Sequence, residues 1–313
     1  MAIDVVGRRR VLVVCNRAAR GGAAELVDEV AKVCRDLGCE PVLLAPQGKE
    51  RAVAEIPAEV ATGPWDAVVA VGGDGTVRTV AEAIARGTGP ALLVIPGGTG
   101  NSMYRALWED RPWPDVLGEA LTGRARVRHL DLLHIVGTDT VAMLGVSAGL
   151  IAETVKVSEG LVGASGRDLY SAAIITALGQ HVPFPALVTV DGELLHEGPT
   201  SLVAIGGARH RSGTFQLLPR SVLDDGLLDV CLIRGVDAAE FVGLAGVVAA
   251  GEHIGRPEVA YAQGRSVTLE RTDGAHLCVE NDGDVRHEEE VRLTVEVLPS
   301  AVPTFVPLLP VAG

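Results

Sequence analysis

The sequence predicts two domains, a doubly wound parallel α/β domain at residues 1–127 and an antiparallel β-sandwich at residues 128–298. In the first part, strand-like runs that are apolar on both faces alternate with helix-like segments, as in a parallel sheet covered on both sides. In the second part, short strand-like runs are joined by Gly, Asp and Asn turns, which indicates antiparallel pairing. The apolar, Pro-rich tail at 299–313 is expected to return to the first domain.

The elements of the first domain follow one another in a regular order. Four strands are predicted in the runs RVLVVCN, EPVLLAP, WDAVVAVGG and PALLVIPGG. The first helix is predicted where apolar residues recur at helical spacing from Leu26 to Leu37, before the stop signal Gly38. A second helix is expected at 49–61 despite Pro57, a third in TVAEAIARG, and a fourth in NSMYRAL.

The elements of the second domain are mostly short strands. They are predicted in VRHLDLLHIVG, TVAMLGVSAG, ALVTVDGELL, TSLVAIGG, LLDVCLIRG, RSVTLER, AHLCVENDGD and VRLTVEVLP. Two helices are expected to interrupt them, near 166–180 and 237–251. This arrangement is typical of a sandwich or an open barrel.

Composition and charge exclude several functional classes. The chain is 48% hydrophobic and 21% charged, which is sufficient for a packed core. Its net charge of −13 and its 3% aromatic residues argue against a nucleic-acid partner. The five cysteines form no CxxC pair, as expected of reduced thiols in the cytoplasm. With neither a signal peptide nor a membrane-spanning run in sight, we expect a cytoplasmic protein.

Two glycine-rich loops follow the third and fourth predicted strands. The first is GGDGT at 72–76 and the second is PGGTGN at 96–101. Ligands of parallel sheets bind beyond the carboxyl ends of the strands, and glycines let backbone N–H groups approach an anion. Thr76 opens the next helix, whose N-terminus favours negative charge, and Thr99 can donate its hydroxyl to a phosphate. Each loop alone could be a plain turn, but the pair predicts a phosphate site.

Asp74 is an unexpected residue in a loop that binds only phosphate. Its carboxylate would repel the ligand unless a cation stood between them, so the loop predicts Mg²⁺ held by Asp74 directly or through water. The chain contains no GxxxxGK[ST] motif, and Arg78 takes the place of the last glycine of GxGxxG. Asn101 is predicted to be the N-cap of the following helix.

The GGDGT and PGGTGN motifs together resemble the diacylglycerol kinase catalytic-domain family, which includes bacterial lipid kinases, sphingosine kinases and ceramide kinases. HLDLLHI, AMLGVSAGLIAETV, AIGGARHRSGTFQLLPRSVLDDGLLDVCLI and VENDGDV extend the resemblance through the second domain. It implies a fold like that of NAD kinases and diacylglycerol kinases. It also implies transfer of the γ-phosphate of ATP, with Mg²⁺, to a hydroxyl of a diacylglycerol- or sphingoid-like lipid.

The resemblance also implies roles for individual residues. The nucleotide-binding residues it implies are Asn16, Gly72, Gly73, Asp74, Gly75, Thr76, Gly98 and Thr99. The residues it implies for metal binding are Asp74, Asp131, Val222, Asp225 and Leu227, the last three at the DDG turn through the Asp225 carboxylate and two backbone carbonyls. A plain Asp-Gly hairpin turn is the alternative at that position.

The general base implied by the resemblance is Asp284, which stands where the family has the glutamate of Asp-Gly-Glu. Asp282 and Glu280 are nearby alternatives for the base. Asp74 is the other residue implied in catalysis, through the Mg²⁺ that it holds. The chain departs from the family pattern at three places: Arg17 after Asn16, Arg78–Thr79 after the first loop, and Asp284 itself.

The expected partner is a lipid substrate, reached by transient peripheral contact with a membrane, and a homodimer remains open. The acyl chains are expected in an apolar cleft lined in part by residues 161–178. Two alternatives to the lipid kinase remain. One is an NAD kinase-like small-molecule kinase, although GGTGNSMYRALWED lacks the Asn-Glu pair of those enzymes. The other is a nucleotide- or lipid-binding protein that has lost catalysis.

Overall fold

The computed structural model describes residues 9–15, 23–85, 87, 89–161, 166–209, 215–286 and 289–308. The chain divides into two compact units. The first contains the residues up to Leu130 together with those from Ala301 onward, and the second contains Asp131–Ser300. The chain therefore leaves the first unit within a strand and returns to it near its end.

The first unit contains a parallel sheet with helices between its strands. Its strands are β1 (Arg10–Cys15), β2 (Glu40–Leu44), β3 (Ala67–Gly72) and β4 (Ala91–Pro96), in the spatial order β2-β1-β3-β4. Its helices are α1 (Ala23–Asp36), α2 (Lys49–Thr62), α3 (Asp74–Ala85), α4 (Ser102–Trp108) and α5 (Trp113–Leu121). Every residue of β3 is buried, as expected for a strand covered on both faces.

One helix of the first unit was not predicted, and another contains a proline, as expected. Helix α5 was not among the predicted elements. Helix α2 continues through Pro57, because the hydrogen bond that proline cannot donate would end on Val53, whose exposed position lets water replace it. Near the end of the chain, Thr304 pairs in parallel with Leu92 of β4.

The second unit is built from antiparallel strands. In chain order they are β5 (Ala125–Ile135, which starts in the first unit), β6 (Val141–Ala142), β7 (Gly145–Gly149), β8 (Phe184–Val190), β9 (Glu193–Gly206), β10 (Leu228–Arg234), β11 (Val259–Gly264), β12 (Ser266–Arg271), β13 (Val279–Asn281), β14 (Asp284–Val285) and β15 (Arg292–Pro307, which ends in the first unit). The helices are α6 (Leu150–Gly160), α7 (Gly166–Gln180) and α8 (Ala238–Ala249). The sequence predicted α7 and α8 but not α6.

The long strand β9 is where the sheet of the second unit branches. Its first half pairs with β8, whereas Leu202–Gly206 pairs with β7 on one side and β10 on the other. Alternate residues of these strands, such as Val188, Val203 and Val230, meet in one buried apolar core. None of the helices in the described ranges combines the length and the apolar character needed to cross a bilayer.

His253 is a fully buried histidine in the second unit. Its Nε2 lies 3.2 Å from the carbonyl oxygen of Leu217, which can only accept, so Nε2 carries the proton. Its Nδ1 is buried and has no hydrogen-bond partner among the described residues. Burial lowers the pKa of His253, and the bond to Leu217 opposes this only in part. The folded protein therefore holds a neutral imidazole.

This histidine makes the free energy of unfolding depend on pH. Below about pH 6.5, His253 is protonated in the unfolded chain but stays neutral in the folded chain. The free energy of unfolding should therefore decrease as the pH is lowered from 7.5 to 5.5. The variant His253→Gln should lose this part of the slope, up to about 1.4 kcal/mol per pH unit. Urea unfolding at a series of pH values measures the effect. His129→Gln, at an exposed position, is the control, and equal slopes for His253→Gln and wild type would contradict the assignment.

Candidate functional site

The structure brings the two predicted glycine loops side by side. The first loop joins β3 to α3 and the second joins β4 to α4, and Gly72 pairs with Pro96 where the two strands end. The N–H of Gly97 then donates to the carbonyl oxygen of Gly72 over 2.9 Å. The two loops thus form one surface at the carboxyl edge of the sheet, where parallel sheets bind ligands.

Backbone contact between the loops explains three of the six loop glycines, Gly73, Gly97 and Gly98. A Cβ on Gly98 would lie 2.4 Å from the Cα of Gly73, and one on Gly97 would lie 3.1 Å from the Cα of Gly72. None of these glycines has a φ in the left-handed region, so the requirement is close approach and not an unusual backbone conformation. Ligand binding is not needed to explain them.

Gly75 is the exception among the loop glycines. It lies in the first turn of α3, it is exposed, and a Cβ there would meet nothing within 4 Å. Alanine is favoured over glycine in a helix by about 0.5–1 kcal/mol, so the fold alone gives no reason for glycine at this position. Thr99 of the second loop is exposed as well. Open space next to Gly75 is the feature that a bound ligand would explain.

Asp74 connects the first loop to the helix after the second. Its Oδ2 accepts from the N–H of Ser102 and its Oδ1 from the N–H of Met103, each over 3.0 Å. These two N–H groups belong to the first turn of α4, where a helix has no acceptors of its own. The carboxylate therefore caps α4 from the neighbouring loop and fixes the distance between the loops.

Asn101 stands at the N-cap position of α4, as predicted, but its side chain does not play the expected capping role. Its backbone is left-handed, with φ of 51°, and its side chain makes no capping hydrogen bond. Instead, its Oδ1 accepts from the N–H of Gly98 and its Nδ2 donates to the carbonyl oxygen of Gly98, both over 2.9 Å. Asn101 closes the second loop on itself, and Asp74 supplies the cap in its place.

The backbone N–H groups in the first turn of α3 could bind an anion. The carbonyl oxygen of Gly73 accepts from the N–H of Thr76 and of Val77, over 3.0 and 3.2 Å, so the helix begins at this residue. The hydroxyl of Thr79, one of the departures from the family pattern, donates to the carbonyl oxygen of Gly75 over 3.0 Å. The predicted ligand Asn16 and its neighbour Arg17 lie outside the described residues.

A magnesium ion fits Asp74 only together with a ligand. Within the described ranges, no group of three or more His, Cys, Asp or Glu side chains is arranged to hold a metal. Magnesium is commonly held by one or two carboxylates plus substrate phosphates, and each Asp74 oxygen accepts one of the two hydrogen bonds shown. The residues present are therefore compatible with a metal shared between Asp74 and a phosphate.

In the second unit, Asp131 anchors the DDG turn. Its Oδ2 accepts from the N–H of Gly226 and its Oδ1 from the N–H of Ser300, each over 2.7 Å. Burial raises the pKa of Asp131, and the nearby Asp225 and Asp224 raise it further, although the two hydrogen bonds oppose the shift. A cation at this turn would relieve the repulsion between the carboxylates.

Of the remaining residues predicted at the DDG turn, Leu227 donates its N–H to Oδ1 of Asp225 over 3.0 Å, and Val222 is partly exposed. The structure therefore brings Asp131, Asp225 and Leu227 together at one turn. Asp74, predicted to share a metal with Asp131, belongs to the first unit.

The three candidate bases all lie in the β13–β14 hairpin, but their side chains have different surroundings. Asp282 sits at the turn with φ of 48°, and its carboxylate accepts from the N–H groups of Met143, Leu144 and Gly145 over 2.7 to 2.9 Å. Glu280 is buried, and its Oε2 accepts from the turn N–H of Gly283 over 2.8 Å. Asp282 and Glu280 therefore hold the hairpin in place. Asp284, the predicted base, is half-buried.

An apolar cavity of about 50 Å³ lies in the second unit. Helix α7 contributes Tyr170 and Ile174, which fall in the segment predicted to line an acyl-chain cleft. Helix α8 contributes Phe241 and Ala245, and α6 contributes Thr154. The contribution of α8 to the cavity was not predicted, because apolar residues occur on all sides of this helix and only Leu244 and Val248 are buried.

Two family models match the chain. The diacylglycerol kinase catalytic domain matches residues 10–135, and the YegS C-terminal NAD kinase beta sandwich-like domain matches residues 145–306. A probable YegS-like lipid kinase of Pseudomonas aeruginosa is 30% identical over 264 residues, 83% of this chain and 82% of that one. A diacylglycerol kinase of Bacillus subtilis is 29% identical over 227 residues, 72% of this chain and 73% of that one.

Solved structures agree on the fold. A diacylglycerol kinase from Bacillus anthracis superposes with a TM-score of 0.69 at 18% identity, over 96% of this chain and 97% of that one. An NAD kinase from Archaeoglobus fulgidus in complex with ATP gives a TM-score of 0.53 at 14% identity, over 95% of this chain and 92% of that one. The predicted fold class, parallel α/β followed by a β-sandwich, is confirmed.

The fold and the matched sequence together define a two-domain kinase. Within that class, this chain belongs to the diacylglycerol kinase catalytic-domain family, with a YegS-type second domain, so the predicted resemblance is confirmed.

Two glycine-to-alanine substitutions in the loops should have different effects on stability. Gly98→Ala places a methyl group against the backbone of Gly73 and should lower the free energy of unfolding by about 1–3 kcal/mol. Gly75→Ala meets no atom and should leave the unfolding temperature unchanged or slightly raised. Thermal unfolding by circular dichroism tests both. Equal destabilisation by the two variants would show that Gly75 is also required by packing.

Proposed function

We propose that this protein transfers the γ-phosphate of ATP to a hydroxyl group of a diacylglycerol- or sphingoid-like lipid. The observation that carries the proposal is Gly75, a glycine that the fold does not require, at the open N-terminus of α3. Backbone N–H groups at such a helix end bind phosphate oxygens well. Membership in a family of diacylglycerol and lipid kinases supplies the reaction class.

The first unit supplies the residues proposed to bind the phosphates. The N–H groups of the first turn of α3 and the exposed hydroxyl of Thr99 would donate to phosphate oxygens. Mg²⁺, held by Asp74 together with the phosphates, would offset the charge that builds on the transferred group. Because Asp74 also caps α4, the cap would hold the carboxylate in one orientation as the nucleotide binds.

Asp284 is proposed to accept the proton of the attacking hydroxyl. A general base must come within about 2.6–3.2 Å of that hydroxyl, and aspartate is one methylene group shorter than the family's glutamate. The bonds made by Asp282 and Glu280 support this choice, because they hold the hairpin that carries Asp284. The rigid hairpin compensates for the shorter side chain by fixing its position.

The apolar cavity supports a lipid as the acceptor. Its walls are almost entirely aliphatic and aromatic, and such a surface favours acyl chains over a nucleotide or a sugar. The same feature disfavours the NAD kinase alternative, whose solved example also has the lower TM-score.

Transfer of radiolabelled phosphate from ATP to a panel of diacylglycerols, sphingoid bases and NAD tests the proposal. We expect a labelled lipid and no labelled NADP. Labelled NADP would establish the alternative kinase, and nucleotide binding with no labelled product would establish a protein without turnover.

Two variants should separate binding from chemistry. Asp284→Asn should lower kcat about 100-fold or more at an unchanged affinity for ATP, because it removes the base but not the loops. Gly75→Ala should weaken ATP binding about tenfold while the fold stays intact, because its methyl group enters the proposed phosphate site. Isothermal titration and steady-state kinetics measure both effects.

Glu197→Gln, at an exposed position in β9, is the matched control and should retain wild-type kinetics. Asp284→Glu restores the family's residue and should keep measurable turnover. Wild-type kcat in Asp284→Asn would exclude this residue as the base, and unchanged ATP affinity in Gly75→Ala would place the nucleotide elsewhere.

A further inference from the structure

The apolar cavity of the second unit is too small to hold a long acyl chain as it stands. Its volume is about 50 Å³. Pockets that bind small molecules have volumes of about 300–1,000 Å³, and one water molecule alone accounts for about 30 Å³ in the liquid. Under the proposed function, one wall of the cavity must therefore move before more than the end of a chain can enter.

Helix α7 is the wall that buries the least side-chain surface. Among the side chains of α7 that the structure describes, the buried ones are those of Ala173 and Ala177, both of them small. The larger residues that α7 contributes to the cavity, Tyr170 and Ile174, are only partly buried. The neighbouring helix α6 buries larger side chains, such as Leu150. Because α7 buries little apolar surface, its position depends on other contacts.

One polar contact joins the end of α7 to α6. His181 is the first residue after α7, and its Nδ1 lies 2.7 Å from Oε2 of Glu153 in α6. A carboxylate oxygen accepts, so Nδ1 carries the proton and donates. Glu153 is adjacent to Thr154, and His181 follows Ile174 by about two helical turns. Since Thr154 and Ile174 both line the cavity, this contact joins two of its walls.

The same contact leaves one polar atom unsatisfied. The side chain of His181 is 4% exposed, whereas that of Glu153 is 30% exposed. Nε2 of His181 is buried and has no hydrogen-bond partner among the described residues. An unpaired buried polar atom costs free energy that contact with water would recover. Displacement of α7 would therefore break one hydrogen bond but hydrate Nε2, so the two arrangements differ less in free energy than the bond alone indicates.

We propose that Glu153 and His181 are positioning residues that limit how much of an acyl chain the cavity accepts. Their hydrogen bond holds α7 against α6, and loss of the bond lets the cavity widen. The inference rests on the proposed function, because the acyl chain is that of the proposed lipid acceptor. Both residues act through the wall of the cavity and not on the reacting atoms.

Binding of 1-octanol and 1-dodecanol, measured by isothermal titration without ATP, tests the pair. Each methylene group that enters an apolar site without restriction raises the affinity about fourfold. In the wild type, the longer alcohol should bind less than about tenfold more tightly than the shorter one, because the closed cavity excludes the added methylene groups. In His181→Ala the gain should approach about 100-fold, and Glu153→Ala, at the more exposed partner, should behave in the same way.

Three further variants control for a general loss of stability. His181→Asn keeps an N–H donor near the position of Nδ1 and should retain the chain-length dependence of the wild type. His134→Ala removes a partly buried imidazole that does not line the cavity and whose Nε2 lies 2.9 Å from the carbonyl oxygen of Thr138, and it should also resemble the wild type. The double variant of Glu153 and His181 to alanine should match either single variant, because the two side chains form one contact.

Four results would overturn the proposal. They are an equal chain-length gain in His181→Ala and the wild type, a gain of about 100-fold already in the wild type, additive effects in the double variant, and no binding of either alcohol to any of these proteins. If His181→Ala does not fold, the comparison of Glu153→Ala with the wild type decides.

The alcohol measurements separate this proposal from the proposed function, because they require neither ATP nor turnover. If no lipid is labelled in the radiolabel assay, the proposed function fails while alcohol binding still reports on the pair. In an active enzyme, both alanine variants should lower KM for long-chain diacylglycerol relative to dioctanoylglycerol at an unchanged kcat. A labelled lipid with the same ratio of KM values in the variants and the wild type would exclude only the role of the pair.

Discussion

The contact between the backbones of the two glycine loops is the constraint on which the first unit's candidate site depends. Gly97 bonds to Gly72, and Gly98 lies so close to Gly73 that neither loop can carry a side chain there. This approach brings the start of α4 within reach of the Asp74 carboxylate. The carboxylate in turn ties α4 to the start of α3, so the positions of both helix ends follow from one contact.

This constraint changes how the motif is understood. A run such as GGDGT invites the view that every glycine serves the ligand, but Gly73, Gly97 and Gly98 are required by contact with the other loop, and Gly72 is required by contact with the Thr76 side chain. The same holds for the aspartate, whose two oxygen atoms first satisfy the backbone of α4. A ligand then meets a site that is already assembled, which lowers the cost of ordering it on binding. Only Gly75 remains as a residue that the protein itself does not explain.

The sequence predicted the parts of the fold that depend on local pattern and missed those that depend on distant contacts. The strands of the first unit were predictable from their continuous apolar runs, and the two loops were predictable because glycines follow β3 and β4. The cap on α4 was not, because Asp74 is far from Ser102 in sequence and the local signal pointed to Asn101 instead. The roles of Asp131 and Asp282 were missed for the same reason, since their partners, Ser300 and Met143, are equally remote. Helix α6 was missed although Gly149, with φ of 78°, ends β7 and directly precedes the helix.

Under the proposed function, the hairpin of the second unit gives a physical reason why an aspartate could replace the family's glutamate as the base. A glutamate reaches farther than an aspartate but has one more rotatable bond, so it must be ordered at greater entropic cost. Here three backbone N–H groups hold Asp282, and the buried Glu280 holds the turn from the other side. The backbone of Asp284 is therefore fixed on both sides, and its short side chain has little freedom to lose. In the proposed mechanism, the acceptor hydroxyl must therefore come closer to Asp284 than it would to a glutamate.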